Sequence, residues 1–389
     1  METKVVARSE FSVGDVLRSF GQSYEENHPL CKVYRQALRD LSVCRTAYLG
    51  GHKEQCQSCG HERPVYNSCG NVSCPMCQGI KRKKWLSERL SELLPVPYFH
   101  SIFTIPHELN DLAYYNQREI YNLLFRSSAD TLLYLCKKYH QASPAIISTL
   151  HTWGQSLFLH PHVHILITSG GLADDGTWHK GSSDFLFDVY EISAEFKKRF
   201  IKGLIRLKKE GLEHSGDFEE IKEKIEAKDW VVNCQKPFAG AGKVVEYLGR
   251  YVYRSAIANS RLRSIESSGI SFDYKDYKDL DKKGLAKHKE MTLKPEEFIR
   301  RFLQHILPKG FRRCRFYGLF AGRKRKVNLA HCKELFAEEL AKIEYDEPEA
   351  YQVEACPCCG GVKFKYLAEI MPERPLPITF HYRRRKRHA

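Results

Sequence analysis

The segment His160-Pro161-His162-Val163-His164, running into Ile165-Leu166-Ile167, narrows the fold of this chain more than any other stretch. On a β-strand, side chains at i and i+2 share a face, so His162 and His164 point one way while Val163 turns to the core. Two imidazoles held side by side can grip one divalent metal ion, imidazole being the commonest metal-binding side chain. Further on, Tyr247-Leu248-Gly249-Arg250-Tyr251 lies in a stretch that reads as helix, where residues four apart share a face. Tyr247 and Tyr251 can then address that metal together, and a metal beside two tyrosine hydroxyls points to phosphoryl transfer by covalent catalysis.

Composition sets the class. A chain of 389 residues with a 42% apolar share has room for two to three domains with real cores. Its formal net charge of +15, from 62 Lys+Arg against 47 Asp+Glu, calls for a polyanionic partner. Nucleic acid fits better than a membrane, because no segment approaches the roughly 18 apolar residues of a spanning helix. The N-terminus, Met1 to Arg8, lacks the apolar core of a signal peptide. The expectation is a basic protein of the bacterial cytoplasm or nucleoid, where 14 cysteines signal metal and reduced thiols rather than disulfides.

Two C-x-x-C knuckles, Cys56/Cys59 and Cys74/Cys77, stand close to the spacing of a four-cysteine zinc site, which typically has about 15 to 20 residues between pairs. Four thiolates close a tetrahedral structural site with no open position for chemistry. Cys44, His52, His61 and Cys69 lie in the same stretch and could supply a second zinc, with Cys44, His52 and Cys69 as the candidate set. The run Lys81-Arg82-Lys83-Lys84 follows the cluster and suits phosphate contact. A further knuckle, in Cys356-Pro357-Cys358-Cys359, has no second pair after it, so partners such as Cys332 or His331 would have to come from elsewhere.

Between these lies alternating structure: strand Tyr98 to Ile105, helix from about Leu112 to Tyr139, strand Ala145 to Trp153, the His162 strand, a charged helical stretch from Ser193 to Ala227 and a strand Trp230 to Cys234. Helices alternating with strands imply an α+β sandwich with an antiparallel sheet. The stretch from Tyr274 to His288 reads as a linker or exposed loop, and Glu296 to Leu307 as helix. Ala239-Gly240-Ala241-Gly242-Lys243 imitates a P-loop, but Val244 stands where Ser or Thr is needed and Pro237 where the first glycine belongs, which rejects nucleotide hydrolysis.

Four blocks, in order, resemble the two-tyrosine rolling-circle transposases of the HUH nuclease superfamily, the insertion-sequence-ninety-one family. They are the cysteine block from Cys44 to Gln78; Phe99 to Leu109 with Leu150 to Gln155 and His160 to His164; Tyr247 to Tyr251; and Arg300-Arg301-Phe302-Leu303-Gln304-His305 to Phe311. The chain departs from the family pattern at Val72-Ser73, where Arg-His is usual, and at Tyr253, where histidine is usual. The resemblance implies an HUH nuclease core, a mostly antiparallel sheet flanked by helices, with a small N-terminal zinc-binding domain and a helical, basic C-terminal region. The expected divisions are 1–95 for the zinc-binding domain, 96–285 for the nuclease, 286–345 for a helical extension and 346–389 for the last knuckle and basic tail.

The resemblance also implies chemistry. His162 and His164 would hold Mg²⁺ or Mn²⁺ against the scissile phosphate, with Gln155 as third ligand and His151 and His160 as alternatives. Tyr247 and Tyr251 would form 5′-phosphotyrosine links to single-stranded element ends and target DNA, assisted by Lys243, Arg250 and Arg254, with host replication proteins as further partners. The basic, aromatic run Phe311-Arg312-Arg313-Cys314-Arg315-Phe316-Tyr317 suits base stacking and phosphate contact. Two other functions fit parts of the pattern: a rolling-circle replication initiator, and a zinc-dependent nucleic-acid-binding regulator without nuclease activity.

Overall fold

The architecture comes from a computed structural model, which describes residues 9–78, 85, 88–89, 91–214, 216–235, 244, 254–341 and 355–373. The chain opens with helices α1 (Val13–Asn27) and α2 (Lys32–Ser42), then strands β1 (Gly51–Cys56) and β2 (Glu62–Tyr66). The central part follows as β3 (Tyr98–Thr104), α3 (Asn110–Tyr115), α4 (Gln117–His140), β4 (Ala142–Ser143), β5 (Ala145–Trp153), β6 (Leu159–Thr168), β7 (Gly171–Ala173), β8 (Trp178–His179), α5 (Val189–Lys209), α6 (Phe218–Ala227) and β9 (Val232–Gln235). Strands β10 (Leu262–Ile265), β11 (Ile270–Leu280) and β12 (Ala286–Leu293) lead to α7 (Pro295–Leu303), β13 (Cys314–Gly318), α8 (Arg325–Leu335), α9 (Ala337–Ala341) and β14 (Phe364–Ile370).

Local chemistry sets the helix starts. Ser12 and Asp15 form a reciprocal capping box on α1, and Asp188 accepts from the Tyr190 and Glu191 amides at the start of α5, each satisfying amides that have no partner within the helix. The charged helical stretch expected over 193–227 consists of two helices, α5 and α6. Gly211, at φ +96°, lets the backbone take the left-handed turn that ends α5.

The central sheet runs in the order β13-β5-β6-β3-β9, and each of its described pairings is antiparallel. This is the expected α+β core. Val163, Ile165 and Ile167 of β6 face a core built with α4, α5 and α6, where Phe125, Phe196 and Phe200 are fully buried. The opposite face carries His162, His164 and Leu166 of β6, and Ala145, Ile147, Thr149 and His151 of β5, following the strand period of two. Leu166, Ala145 and Ile147 join an apolar cluster there with Tyr98, Leu319 and Val244. A third cluster joins α1 and α2 to Trp153, Leu157, Phe298 and Phe302, so the N-terminal helices and α7 pack together over the β5–β6 turn.

Two expectations change. Residues 274–288 are not a linker but most of the β11–β12 hairpin, whose turn contains the expected boundary at 285/286. No residue of its outer half is buried, so no apolar alternation marks it. Cross-strand pairs hold it instead, with Lys289 Nζ at 2.9 Å from Asp276 and Lys287 Nζ at 2.7 Å from Asp279. The C-terminal region is also less helical than expected, because it contributes β12, the sheet edge β13 and β14. No helix among the described residues is long and apolar enough to cross a membrane.

The β5–β6 turn is pinned from outside. Leu157, fully buried at φ +61°, turns its carbonyl to Gln304 Nε2 at 2.7 Å and to His305 Nε2 at 3.0 Å. Thr152 Oγ1 lies 3.2 Å from His305 Nδ1. His305 is thus a neutral imidazole that donates from Nε2 to a carbonyl. Burial pushes its pKa down to about 3 from an ordinary 6.5. The unfolded chain takes this proton first, so the contribution is intact above pH 6.5 and is lost as pH falls toward 3. Urea midpoints measured between pH 4 and 8 are expected to fall more steeply with acid in wild type than in His305→Gln. Parallel slopes would contradict the assignment.

Candidate active site and metal centres

Register builds the histidine site. Antiparallel pairing sets His151 opposite His162 and Thr149 opposite His164, so three imidazoles share one face. The ligating nitrogens of His151, His162 and His164 lie within 4.8 Å of one another. Ring centroids are 4.5 Å apart for His151 and His164 and 5.0 Å for His162 and His164. His151 is further fixed by stacking on Trp153 at 4.5 Å.

Hydrogen bonds set the tautomers. His162 Nδ1 donates to the His160 carbonyl at 2.7 Å, which leaves its Nε2 lone pair free for a metal. His100, buried on β3, contacts Gln235 Oε1 through Nδ1 at 2.9 Å and His164 Nδ1 through Nε2 at 3.0 Å. With the Gln235 carbonyl accepting from His100, His100 Nε2 must accept from His164 Nδ1. His164 then also presents Nε2 as a lone pair. Burial and the neighbouring His160 push His162 down to about 3. Burial, His151, His162, His100 and Arg254 push His164 well below its ordinary range. Neutral imidazoles are what a divalent metal requires of its ligands, so the donor set fits one. A third imidazole, His151, therefore joins the pair. Gln155, the expected third ligand, lies in the β5–β6 turn, where its backbone carbonyl accepts from Arg261.

The fourth motif block acts on this site through the turn. Arg301 donates to the Ser156 carbonyl at 3.0 Å and lies over the Phe158 ring at 3.9 Å, beside the Gln304 and His305 contacts to Leu157. Arg313 donates to the Arg254 carbonyl at 2.8 Å and lies 5.5 Å from the Trp153 ring centroid. Arg254 itself is exposed near the histidines. Tyr247, Tyr251, Lys243, Arg250 and the run Lys81, Arg82, Lys83 and Lys84 lie outside the described residues.

The cysteines assemble differently from the expected Cys56, Cys59, Cys74 and Cys77 set. Cys74 and Cys77 meet Cys44 and Cys69, while Cys56 and Cys59 meet Cys356 and Cys359. The reason is topological. Cys44 follows α2 into the core that holds Cys74 and Cys77, with Sγ distances of 3.5 Å from Cys74 to Cys44 and 3.6 Å from Cys44 to Cys77. The first knuckle ends β1, and β1 pairs with β14. In the first cluster, hydrogen bonds from Cys44, Cys69 and Cys74 hold the Cys77 thiol far below its usual range, favouring the thiolate that binds metal. His52 joins neither cluster. Its Nε2 lies 3.6 Å from Glu54, and its ring stacks on Tyr366 at 5.7 Å.

A cavity of about 1000 Å³ opens along β13. Arg118, Arg126, Arg312, Arg315 and Arg325 line it with Phe311 and Phe316. Arg315 lies over Phe125 at 4.2 Å and Arg325 over Phe316 at 4.5 Å, which presents cations beside aromatic faces.

Comparison with known proteins gives concordant matches. Residues 145–327 match a family described as "Putative transposase", and residues 16–105 match the "Transposase zinc-binding domain". The chain is 37% identical over 379 residues to "Putative transposase y4qJ" of Sinorhizobium fredii, covering 91% of this chain and 94% of that one. It is 30% identical over 311 residues to the "Transposase for insertion sequence element IS801" of Pseudomonas savastanoi pv. phaseolicola, covering 74% of this chain and 72% of that one. No solved structure matches.

If His100 sets the His164 tautomer, His100→Ala is expected to weaken Mn²⁺ binding about 10–100-fold with the fold retained. Paramagnetic resonance titration of Mn²⁺, alongside circular dichroism, measures both. Unchanged affinity would contradict the relay.

Proposed function

The chain belongs to the IS91 family of transposases, with an N-terminal zinc-binding domain, and on that footing we propose that it cuts and rejoins single-stranded DNA through 5′-phosphotyrosine links made by Tyr247 and Tyr251. The observation that carries this reading is the three-imidazole face of the central sheet. A second observation supports it. Val244, described as helical, is buried in the apolar cluster with Tyr98, Ala145 and Leu166, on the same sheet face as the histidines. Tyr247 and Tyr251 follow it by three and seven residues, the spacing of a single helical stripe. Arg254, just beyond, contributes to the field at His164.

His151, His162 and His164 would hold Mg²⁺ or Mn²⁺, which when bound polarises phosphoryl oxygens. A free tyrosine, with pKa near ~10, is a poor nucleophile at neutral pH. Arg254, whose charge reaches His164, would favour its ionised form and the approach of a phosphate. The tyrosine Oη then attacks phosphorus, the P–O3′ bond breaks, and the leaving oxygen takes a proton to become a free 3′-hydroxyl. The phosphodiester energy is conserved in the new link, so rejoining needs no ATP. Two tyrosines allow one strand to be held from the donor and one from the target. The arginine-lined cavity beside β13 suits an unpaired strand, with phosphates on Arg312 and Arg315 and bases against Phe311 and Phe316.

Labelled single-stranded DNA bearing the element's own ends, incubated with Mn²⁺, is expected to yield a covalent adduct on a denaturing gel. Tyr247→Phe/Tyr251→Phe is expected to abolish it, and His164→Ala to cut its yield about 100-fold or more, because metal polarisation supplies several kcal/mol. Mg²⁺ is expected to support less cleavage than Mn²⁺, since it strongly prefers oxygen ligands. Cleavage that persists in the double tyrosine variant would refute the covalent mechanism.

A further inference from the structure

We propose that Cys56, Cys59, Cys356 and Cys359 bind a second zinc ion that clasps the C-terminal segment 355–373 to the N-terminal module. The matched zinc-binding domain ends at residue 105 and contains only half of these ligands. Their thiols nevertheless converge from positions about three hundred residues apart, with Cys56 Sγ 3.6 Å from Cys359 Sγ and Cys59 Sγ 3.7 Å from Cys356 Sγ. Tetrahedral zinc with Zn–S bonds of about 2.3 Å places its sulfurs about 3.8 Å apart, close to both values. A disulfide would need about 2.05 Å.

The two halves are built alike. In the first, the Gly60 amide donates to the Cys56 carbonyl at 2.9 Å and the Cys56 amide to the His61 carbonyl at 2.9 Å. In the second, the Gly360 amide donates to the Cys356 carbonyl at 2.8 Å and the Cys356 amide to the Gly361 carbonyl at 2.8 Å. Gly60 and Gly360 both sit in the left-handed region, at φ +76° and +73°. Each knuckle is therefore the same turn, which directs amides toward its sulfurs and needs glycine after its second cysteine. Between the halves, Gly361 packs tightly, because a Cβ there would lie 2.9 Å from Ser58 Oγ and 3.3 Å from both Cys56 Sγ and Cys359 Sγ.

Among the described residues, strand pairing, the His52 ring stacked on Tyr366 and a few polar contacts also hold the segment. β14 pairs with β1, but five of its seven residues are exposed, Tyr366 and Leu367 among them. Arg63 adds a hydrogen bond to the Ala355 carbonyl at 3.1 Å and a position 3.9 Å over the Phe364 ring. An exposed strand of this kind buries little apolar surface, and metal is the usual staple for so small a core. Two of the ligands, Cys59 and Cys359, are exposed, whereas three of the four in the first cluster are buried. The clasp zinc is accordingly expected to leave first under a chelator.

The test uses the full chain. Titration with Co²⁺ is expected to give thiolate charge-transfer absorption that saturates at two equivalents, and elemental analysis of the purified protein two zinc ions. Cys356→Ser/Cys359→Ser is expected to keep one. A site-specific protease sequence inserted between Asp346 and Glu347 provides a readout independent of metal counting. After cutting, the C-terminal fragment should remain bound on gel filtration, and should separate on mild chelation or in the double serine variant. Saturation at one Co²⁺ equivalent, or a fragment that stays bound when the clasp cysteines are replaced, would overturn the proposal.

Discussion

Everything proposed for the active site depends on one hairpin, β5–β6, and on how its turn is held. Its register sets His151 against His162, and a slip of one residue would send every side chain of a strand to the other face. The turn contains Leu157 in a conformation that a bulky residue avoids. It is kept there because the Leu157 carbonyl receives two donors from the end of α7 and its side chain is sealed in the cluster with α1, α2 and Phe302. The cluster of the first cysteine set and the histidine face are thus joined through Trp153, which packs with the former and stacks on His151 of the latter. Four thiolates would close a zinc site there with no open position, which suits a role in organising the core beside the histidines.

Much of this was readable in the sequence wherever structure follows a local period. The alternation from His162 to Ile167 gave both the strand and its polar face, and strand Ala145 to Trp153 was found to the residue. The tautomer relay through His100 and Gln235 was not readable, because it runs between strands that only topology brings together. His151 was one of several open choices until pairing put it across from His162.

The cysteines show the same limit from the other side. Spacing joined Cys56/Cys59 to Cys74/Cys77, since sequence distance was the only available measure of proximity. Four-coordinate sites close by topology, and here β14 returns to β1 from the far end of the chain. A signal was present nonetheless: a glycine follows Cys59 and Cys359 alike, and both knuckles take the same turn. The β11–β12 hairpin was hidden for a different reason. A ribbon solvated on both faces needs no apolar alternation and is held by ion pairs across its strands.

The central claim is that three imidazoles on one face of the sheet form a metal centre. Crystals of the full chain soaked in Mn²⁺ and measured at the manganese absorption edge test it most directly. The account requires an anomalous peak enclosed by His151, His162 and His164 that is absent in crystals of His164→Ala. Well-ordered histidines with no peak between them, or a manganese ion bound elsewhere and unaffected by that substitution, would contradict it.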